Sequence, residues 1–261
     1  MAVLTCNFYS SCLGMETTFQ AVIPELVSED IPTAYLLHGL SDDHTQWLRV
    51  TSAERYARQR GIALIMPCGG RSFYTDMAYG AKYYSYVTQE LVAYTRQLFR
   101  LSHKREKTFI AGASMGGYGA MKAALSNPEQ YGAVASFSGV MDVADFFSGN
   151  GAEGDGVPIW GADFRKVLQA GSQNLFSLVD DLKEQTEKAP RIYQVCGTED
   201  FLYNANCRFR DYIQPLEFDY RYAEMPGAHD WGFWDSQLPS VLDFFLEKVQ
   251  QRGYSDAHYD V

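Results

Sequence analysis

Short apolar runs alternate with amphipathic stretches along most of this chain, and the alternation predicts an architecture. Residues 2–10 (AVLTCNFYS) and 16–23 (ETTFQAVI) are β-like and are joined near Gly14. They predict an antiparallel hairpin at a sheet edge. The runs TAYLLHG (33–39), IALIMP (62–67), KTFIAGAS (107–114), GAVASFSG (132–139) and RIYQVCG (191–197) are apolar with little alternation, and FDYRYAEM (218–225) completes the series. Uninterrupted apolar runs of this length suit strands buried on both faces, as in a parallel sheet.

Between the runs the period lengthens. Residues 51–60 (TSAERYARQR) predict a helix closed by Gly61. Within 85–100, Val87, Leu91, Tyr94 and Leu98 recur at helical spacing. A helix of small residues over 115–128 stops before Pro128, and further helices are predicted around 203–213 and 236–250. Strands alternating with helices imply right-handed crossovers and a mostly parallel sheet with helices on both faces. The stretch 142–190 breaks the rhythm with Gly149, Gly151, Gly154, Gly156 and a polar helix. Lying between two core strands, it reads as a lid or pocket wall, or as a plain surface insertion. The 261 residues suit one large α/β domain spanning 1–261.

Charge narrows the partners. A formal net charge of -10 repels phosphate backbones, which argues against nucleic acid, and gives no support for docking on anionic lipid. No apolar run approaches the ~18–20 residues that a membrane span needs. Cys6, Cys12, Cys68, Cys196 and Cys207 are odd in number and form no CxxC pair. They predict neither a disulfide framework nor a zinc site, but reduced thiols in a cytoplasmic protein. The first residues, MAVLTCNFYSSCLG, lack the basic and apolar regions of a secretory signal.

The chemistry gathers at Gly112-Ala113-Ser114-Met115-Gly116, which fits G-x-S-x-G. It directly follows the strand TFIAG and directly opens a helix, the strand–turn–helix setting of a nucleophile elbow in the α/β-hydrolase fold. Such a turn is strained and leaves no room for side chains two residues to either side of the serine. A serine hydroxyl needs a base, and in this fold the order is Ser, acid, His. Only His229 and His258 lie late enough. His258 is in a polar tail, whereas His229 lies in MPGAHDWGFW, between the last predicted strand and the last helix. The acid expected to orient it is Asp200, just after RIYQVCG, with Glu199 and Asp142 as rivals. The oxyanion donors expected are the backbone N–H groups of Met115 and Leu40. His38 reads as a support for that loop. Trp47 is a candidate to line the substrate pocket, although burial is the commoner use of tryptophan.

Other chemistries are weaker. His38, Asp42, Asp43 and His44 have superficially metal-like spacing, but Leu40 stands where the pattern wants a second histidine. No metal is expected. A non-enzymatic binding protein on the same fold would normally lack one of the three side chains, and all three are present. Tyr79, Tyr83, Tyr84 and Tyr86 cluster ahead of a helix and read as packing residues or as a wall for sugar or aryl groups.

LLHGLSDDHTQW, AGASMGGYGAMKAAL, CGTEDFLY and GAHDWGFWD together resemble the esterase D group of α/β-hydrolases. That group includes S-formylglutathione hydrolases, bacterial tributyrin esterases and acetyl or feruloyl esterases, and the likeness is strongest to the short tributyrin esterases. It spans essentially the whole chain. It implies a triad of Ser114, Asp200 and His229, an oxyanion hole of the Leu40 and Met115 N–H groups, and small-molecule short-chain acyl esters as substrates. It also implies no metal or organic cofactor and often a dimer or tetramer. S-formylglutathione hydrolases usually carry a cysteine just after the HGL segment. Here that stretch is Ser41-Asp42-Asp43-His44, which favours an ester over the glutathione thioester.

Overall fold

The computed structural model of the chain describes residues 1–25, 30–149 and 153–250. Its strands are β1 (Ala2–Ser10), β2 (Met15–Ile23), β3 (Thr33–Leu37), β4 (Ala63–Pro67), β5 (Thr108–Ala113), β6 (Ala133–Phe137), β7 (Arg191–Gly197) and β8 (Tyr220–Met225). They form one sheet in the order β1-β2-β4-β3-β5-β6-β7-β8. β1 pairs antiparallel with β2, and β2 antiparallel with β4, while every pairing from β4 across to β8 is parallel. The hairpin therefore sits at one edge, and Gly14 takes φ 68° in its turn.

Successive side chains of a strand point to opposite faces, and this divides the core in two. Tyr35, Leu37, Ala63, Ile65, Ile110, Val134 and Ile192 face one layer, which the helix Met115–Ser126 covers. Ala34, Leu36, Leu64, Met66, Phe109, Ala111 and Val195 face the other, against the helices Ala53–Arg60 and Trp231–Gln250. All residues of β3, β4, β5, β6 and β7 are buried, the reason their sequences run apolar without alternation. β8 is the far edge and only half-buried, which explains its mixed run.

Some element limits differ from the pattern. The stretch read as one helix over 85–100 is a short turn at Tyr83–Ser85, a π-helical turn over Tyr86–Glu90 and an α-helix over Leu91–Leu98. The wider turn buries Tyr86, Val87 and Thr88 in succession, and Glu90 accepts the Ser11 N–H at 2.7 Å. The last long helix begins at Trp231, not 236, because Asp230 caps it: Oδ1 accepts the Phe233 N–H at 2.9 Å. A short helix, Gln46–Val50, was not evident from spacing.

The excursion between β6 and β7 includes the helices Val143–Gly149, Glu153–Trp160, Phe164–Val167 and Leu175–Leu182. Phe147, Ile159, Trp160 and Phe164 are buried in the first core layer. Phe147 and Trp160 lie 5.0 and 5.7 Å from the ring of Phe73 in the segment after β4. Backbone bonds from Ala78 to Ile159 (2.8 Å) and from Tyr79 to Pro158 (2.9 Å) tie the same two segments. The four tyrosines do not share a wall. Tyr86 is buried, Tyr83 and Tyr84 are half-buried, and Tyr79 is exposed.

Candidate active site

The ends of β3, β5, β7 and β8 bring the sequence-predicted residues to the carboxyl side of the sheet, where open α/β sheets bind ligands. Ser114 follows β5 directly with φ 56° and ψ −116°, a conformation that side chains rarely adopt. Its N–H donates to the Phe137 carbonyl at 2.9 Å, and its carbonyl accepts the N–H groups of Val140 and Tyr118, each at 3.2 Å. Crowding explains the glycines. A Cβ on Gly112 would lie 2.3 Å from the backbone of Gly116, and one on Gly116 would lie 2.4 Å from the Leu37 carbonyl oxygen. Ser114 precedes the helix without capping it by its side chain, so Oγ is not consumed by the helix end.

Asp200 and His229 meet. His229 Nδ1 lies 3.0 and 2.9 Å from the two carboxylate oxygens, and the Asp200 side chain is fully buried. The carboxylate is fixed from behind by the Leu202 N–H, 2.8 Å from Oδ1. Trp234 supports the imidazole edge-on at 5.0 Å, and its indole N–H donates to Ser138 Oγ at 3.1 Å. Ser138 follows Phe137, whose carbonyl holds the Ser114 N–H, so a short chain of contacts links the two loops. With Nδ1 engaged by Asp200, Nε2 is the open edge of the ring. It shares no hydrogen bond with Ser114 Oγ in this arrangement; such bonds often tighten only when substrate is bound. The rival acids lie elsewhere. Glu199 is exposed, and Asp142 pairs with Arg208 at 3.2 Å and accepts the Asp145 N–H at 3.0 Å. His258 lies outside the described residues.

Met115 opens its helix, so its N–H has no intrahelical acceptor. The Gly39–Leu40 loop lies against the serine: a Cβ on Gly39 would be 3.6 Å from Ser114 Cβ. His38 builds that loop. Nδ1 donates to the Gly39 carbonyl at 2.7 Å, while Nε2 accepts the Gly69 N–H at 2.8 Å. Both nitrogens are spent, the ring is fully buried, and burial lowers its pKa and keeps it neutral. Neither nitrogen is left for a metal. Asp43 is likewise occupied, accepting the Thr45 N–H at 2.8 Å. Among the described residues no group of three or more His, Cys, Asp or Glu side chains is placed to hold an ion.

The Esterase family model matches residues 10–245. The chain belongs to the Esterase family. An acetyl esterase of Caldicellulosiruptor saccharolyticus is 29% identical, over 95% of this chain and 99% of that protein. Two Staphylococcus aureus structures share the fold. The substrate-bound fluorophosphonate-binding serine hydrolase F superposes with a TM-score of 0.88 at 32% identity, covering 94% of this chain and 98% of its own. The S-formylglutathione hydrolase FrmB does so with a TM-score of 0.81 at 31% identity and the same coverage. The fold is the α/β-hydrolase fold, and this esterase is a carboxylic ester hydrolase of the serine type. Among its described residues no helix is long and apolar enough to cross a membrane.

Trp47 does not form the pocket wall expected from its loop. Trp47 of the esterase is 1% exposed, its indole N–H donates to the Leu37 carbonyl at 3.1 Å, and Trp231 packs edge-on at 4.9 Å. It therefore props the strand beneath the loop and does not line an open pocket.

Two further side chains, Tyr74 and Lys122, brace the segments around Ser114. Tyr74 donates from its hydroxyl to the His38 carbonyl at 3.0 Å, and both Phe73 and Tyr74 take φ 48°. Gly69 makes room for that ring, since a Cβ there would lie 2.3 Å from Tyr74 Cε1. The Cys68-Gly69-Gly70 run was the available signal. Lys122 is the second. Buried on the helix behind Ser114, its ammonium donates to Thr75 Oγ1 (2.6 Å), Gln173 Oε1 (3.2 Å) and the Phe73 carbonyl (3.3 Å). It also lies 4.9 Å from the ring centre of Tyr118, and burial pushes its pKa down to about 7. A lone lysine in a small-residue helix carries no such signal.

Proposed function

We propose that this esterase hydrolyses short-chain acyl esters, of the acetyl to butyryl type, through an acyl-enzyme on Ser114. His229 Nε2 takes the proton from Ser114 Oγ as the oxygen attacks the ester carbonyl. Asp200 holds the imidazole by Nδ1 and stabilises the imidazolium that forms. The N–H groups of Leu40 and Met115 receive the developing oxyanion. The alcohol leaves with the proton from Nε2, and water activated by the same ring releases the acid. The observation that carries this reading is the two-point contact of the buried Asp200 carboxylate with His229 Nδ1.

The acetyl esterase relative supports an ester substrate. The likeness to an S-formylglutathione hydrolase supports a thioester as the second reading, and the absence of cysteine from Ser41–His44 favours the ester. The described part of the excursion over 142–190 serves as a pocket wall. Supporting this, Arg71 binds Asp155 of the excursion at 2.7 Å and Ser41, next to Leu40, at 2.8 Å.

Ser114→Ala tests the assignment. It should lower kcat on p-nitrophenyl acetate by ~10⁵-fold or more and abolish fluorophosphonate labelling, with circular dichroism unchanged. Near-normal turnover in this variant would show that another group is the nucleophile. Parallel rates on S-formylglutathione and on p-nitrophenyl butyrate separate thioester from ester.

A further inference from the structure

We propose that Phe201 forms the binding face for the alcohol half of the ester, and that this half is an apolar alkyl or aryl group. Of the sixteen phenylalanines, fifteen are buried or half-buried, and Phe201 alone is exposed, at 65%. Its ring centre lies 4.5 Å from that of His229, inclined at 50°. Core packing does not place it there, because its neighbour Leu202 is the residue that turns inward, at 5% exposed. The position is instead fixed by Asp200. That residue's N–H donates to the Gly197 carbonyl (3.2 Å), its carboxylate accepts the Leu202 N–H (2.8 Å) and its carbonyl accepts the Tyr203 N–H (2.9 Å). The tight turn that aims the carboxylate at His229 also lays the intervening phenyl ring on the imidazole.

The inference rests on the reading of Ser114 and His229 as nucleophile and base. In that reaction the carbonyl oxygen points toward the Leu40 and Met115 N–H groups. The leaving oxygen faces His229 Nε2, because the C–O bond breaks as that oxygen takes the imidazolium proton. The carbon attached to the leaving oxygen therefore projects on the imidazole side, beside the phenyl ring. An apolar substituent there removes its own surface and that of Phe201 from water, whereas a charged or strongly hydrated one gains nothing from the contact. Trp234 also packs on the imidazole but is buried, whereas Phe201 is exposed and therefore open to contact with a substrate.

The test uses butyrate esters that differ only in the alcohol: methyl, hexyl and benzyl. Phe201→Ala should lower kcat/KM for the hexyl and benzyl esters by about tenfold, mostly through KM, and for the methyl ester by much less. Phe201→Trp should retain the benzyl preference. With the alcohol held constant, an acetate-to-hexanoate series should keep its wild-type order in Phe201→Ala. An equal loss on all three butyrates, with a displaced pH–rate profile, would mean that the ring merely shields His229, and the inference would be wrong. Fluorophosphonate labelling of each variant separates the two levels of the argument. Labelled, active enzyme without alcohol discrimination sinks the Phe201 proposal alone, whereas unlabelled, inactive wild type sinks the catalytic reading and this proposal together.

Discussion

Replacing Asp200 by asparagine isolates one electrostatic contact at nearly constant shape. The carboxylate accepts from His229 Nδ1 through both oxygens, at 3.0 and 2.9 Å, and from the Leu202 N–H at 2.8 Å. Asparagine can keep the Leu202 bond through its carbonyl oxygen, but it then turns its NH₂ toward the ring. The imidazole must answer with an unprotonated Nδ1, which puts the proton on Nε2, the atom that receives the serine proton in the proposed mechanism. The buried negative charge that stabilises the imidazolium is lost in the same step. Together these should lower kcat by ~10⁴-fold, about 5–6 kcal/mol of barrier. The stability cost should stay near 1 kcal/mol, because the fold keeps its packing and one hydrogen bond. Steady-state kinetics on p-nitrophenyl acetate and urea unfolding measure the two quantities separately. Asp142→Asn and Glu199→Gln are the controls, and each should stay within about threefold of wild type, since Asp142 is committed to Arg208 and Glu199 is exposed. If Asp200→Asn kept kcat within tenfold while a control lost orders of magnitude, the acid would be misassigned.

Gly116→Ala should destabilise by about 1–3 kcal/mol and lower kcat, because its Cβ would meet the Leu37 oxygen at 2.4 Å and shift the helix start that carries the Met115 N–H; wild-type urea midpoint and activity together would contradict this. His38→Ala leaves the Gly39 carbonyl and the Gly69 N–H without their side-chain partner, at roughly 1–3 kcal/mol each, so the urea midpoint should fall and kcat with it. Lys122→Met addresses pH. The folded pKa is about 7 against an ordinary 10.5, so between these values the unfolded chain holds a proton that the folded chain has released. The group's contribution is complete above pH 10.5, shrinks as pH falls through this window and is gone below 7. Wild-type stability should thus rise from neutral to alkaline pH more steeply than that of Lys122→Met, and identical slopes in urea titrations would refute the burial argument.

Much of this molecule was legible in one dimension. The five buried strands show as apolar runs because both of their faces are covered, and the elbow shows because its geometry forbids any side chain at 112 and 116. The order of serine, acid and histidine follows from the crossovers, which return the chain to the same end of the sheet after each helix. Other features left no periodic trace. The π-helical turn at Tyr86–Glu90 and the early start of the last helix depend on single contacts, from Glu90 to Ser11 and from Asp230 to Phe233.

Sequence alone named Ser114, His229 and three carboxylates able to serve them, since residue type and the neighbouring strand are local properties. Which carboxylate meets the imidazole was a matter of distance between strands β6, β7 and β8, and only the folded sheet decided it in favour of Asp200. The burial of Trp47, the bracing of the Gly39–Leu40 loop by His38 and Tyr74, and the placing of Phe201 beside the imidazole were decided in the same way. Each depends on residues far apart in the chain meeting in space, and a linear pattern carries no record of such distances.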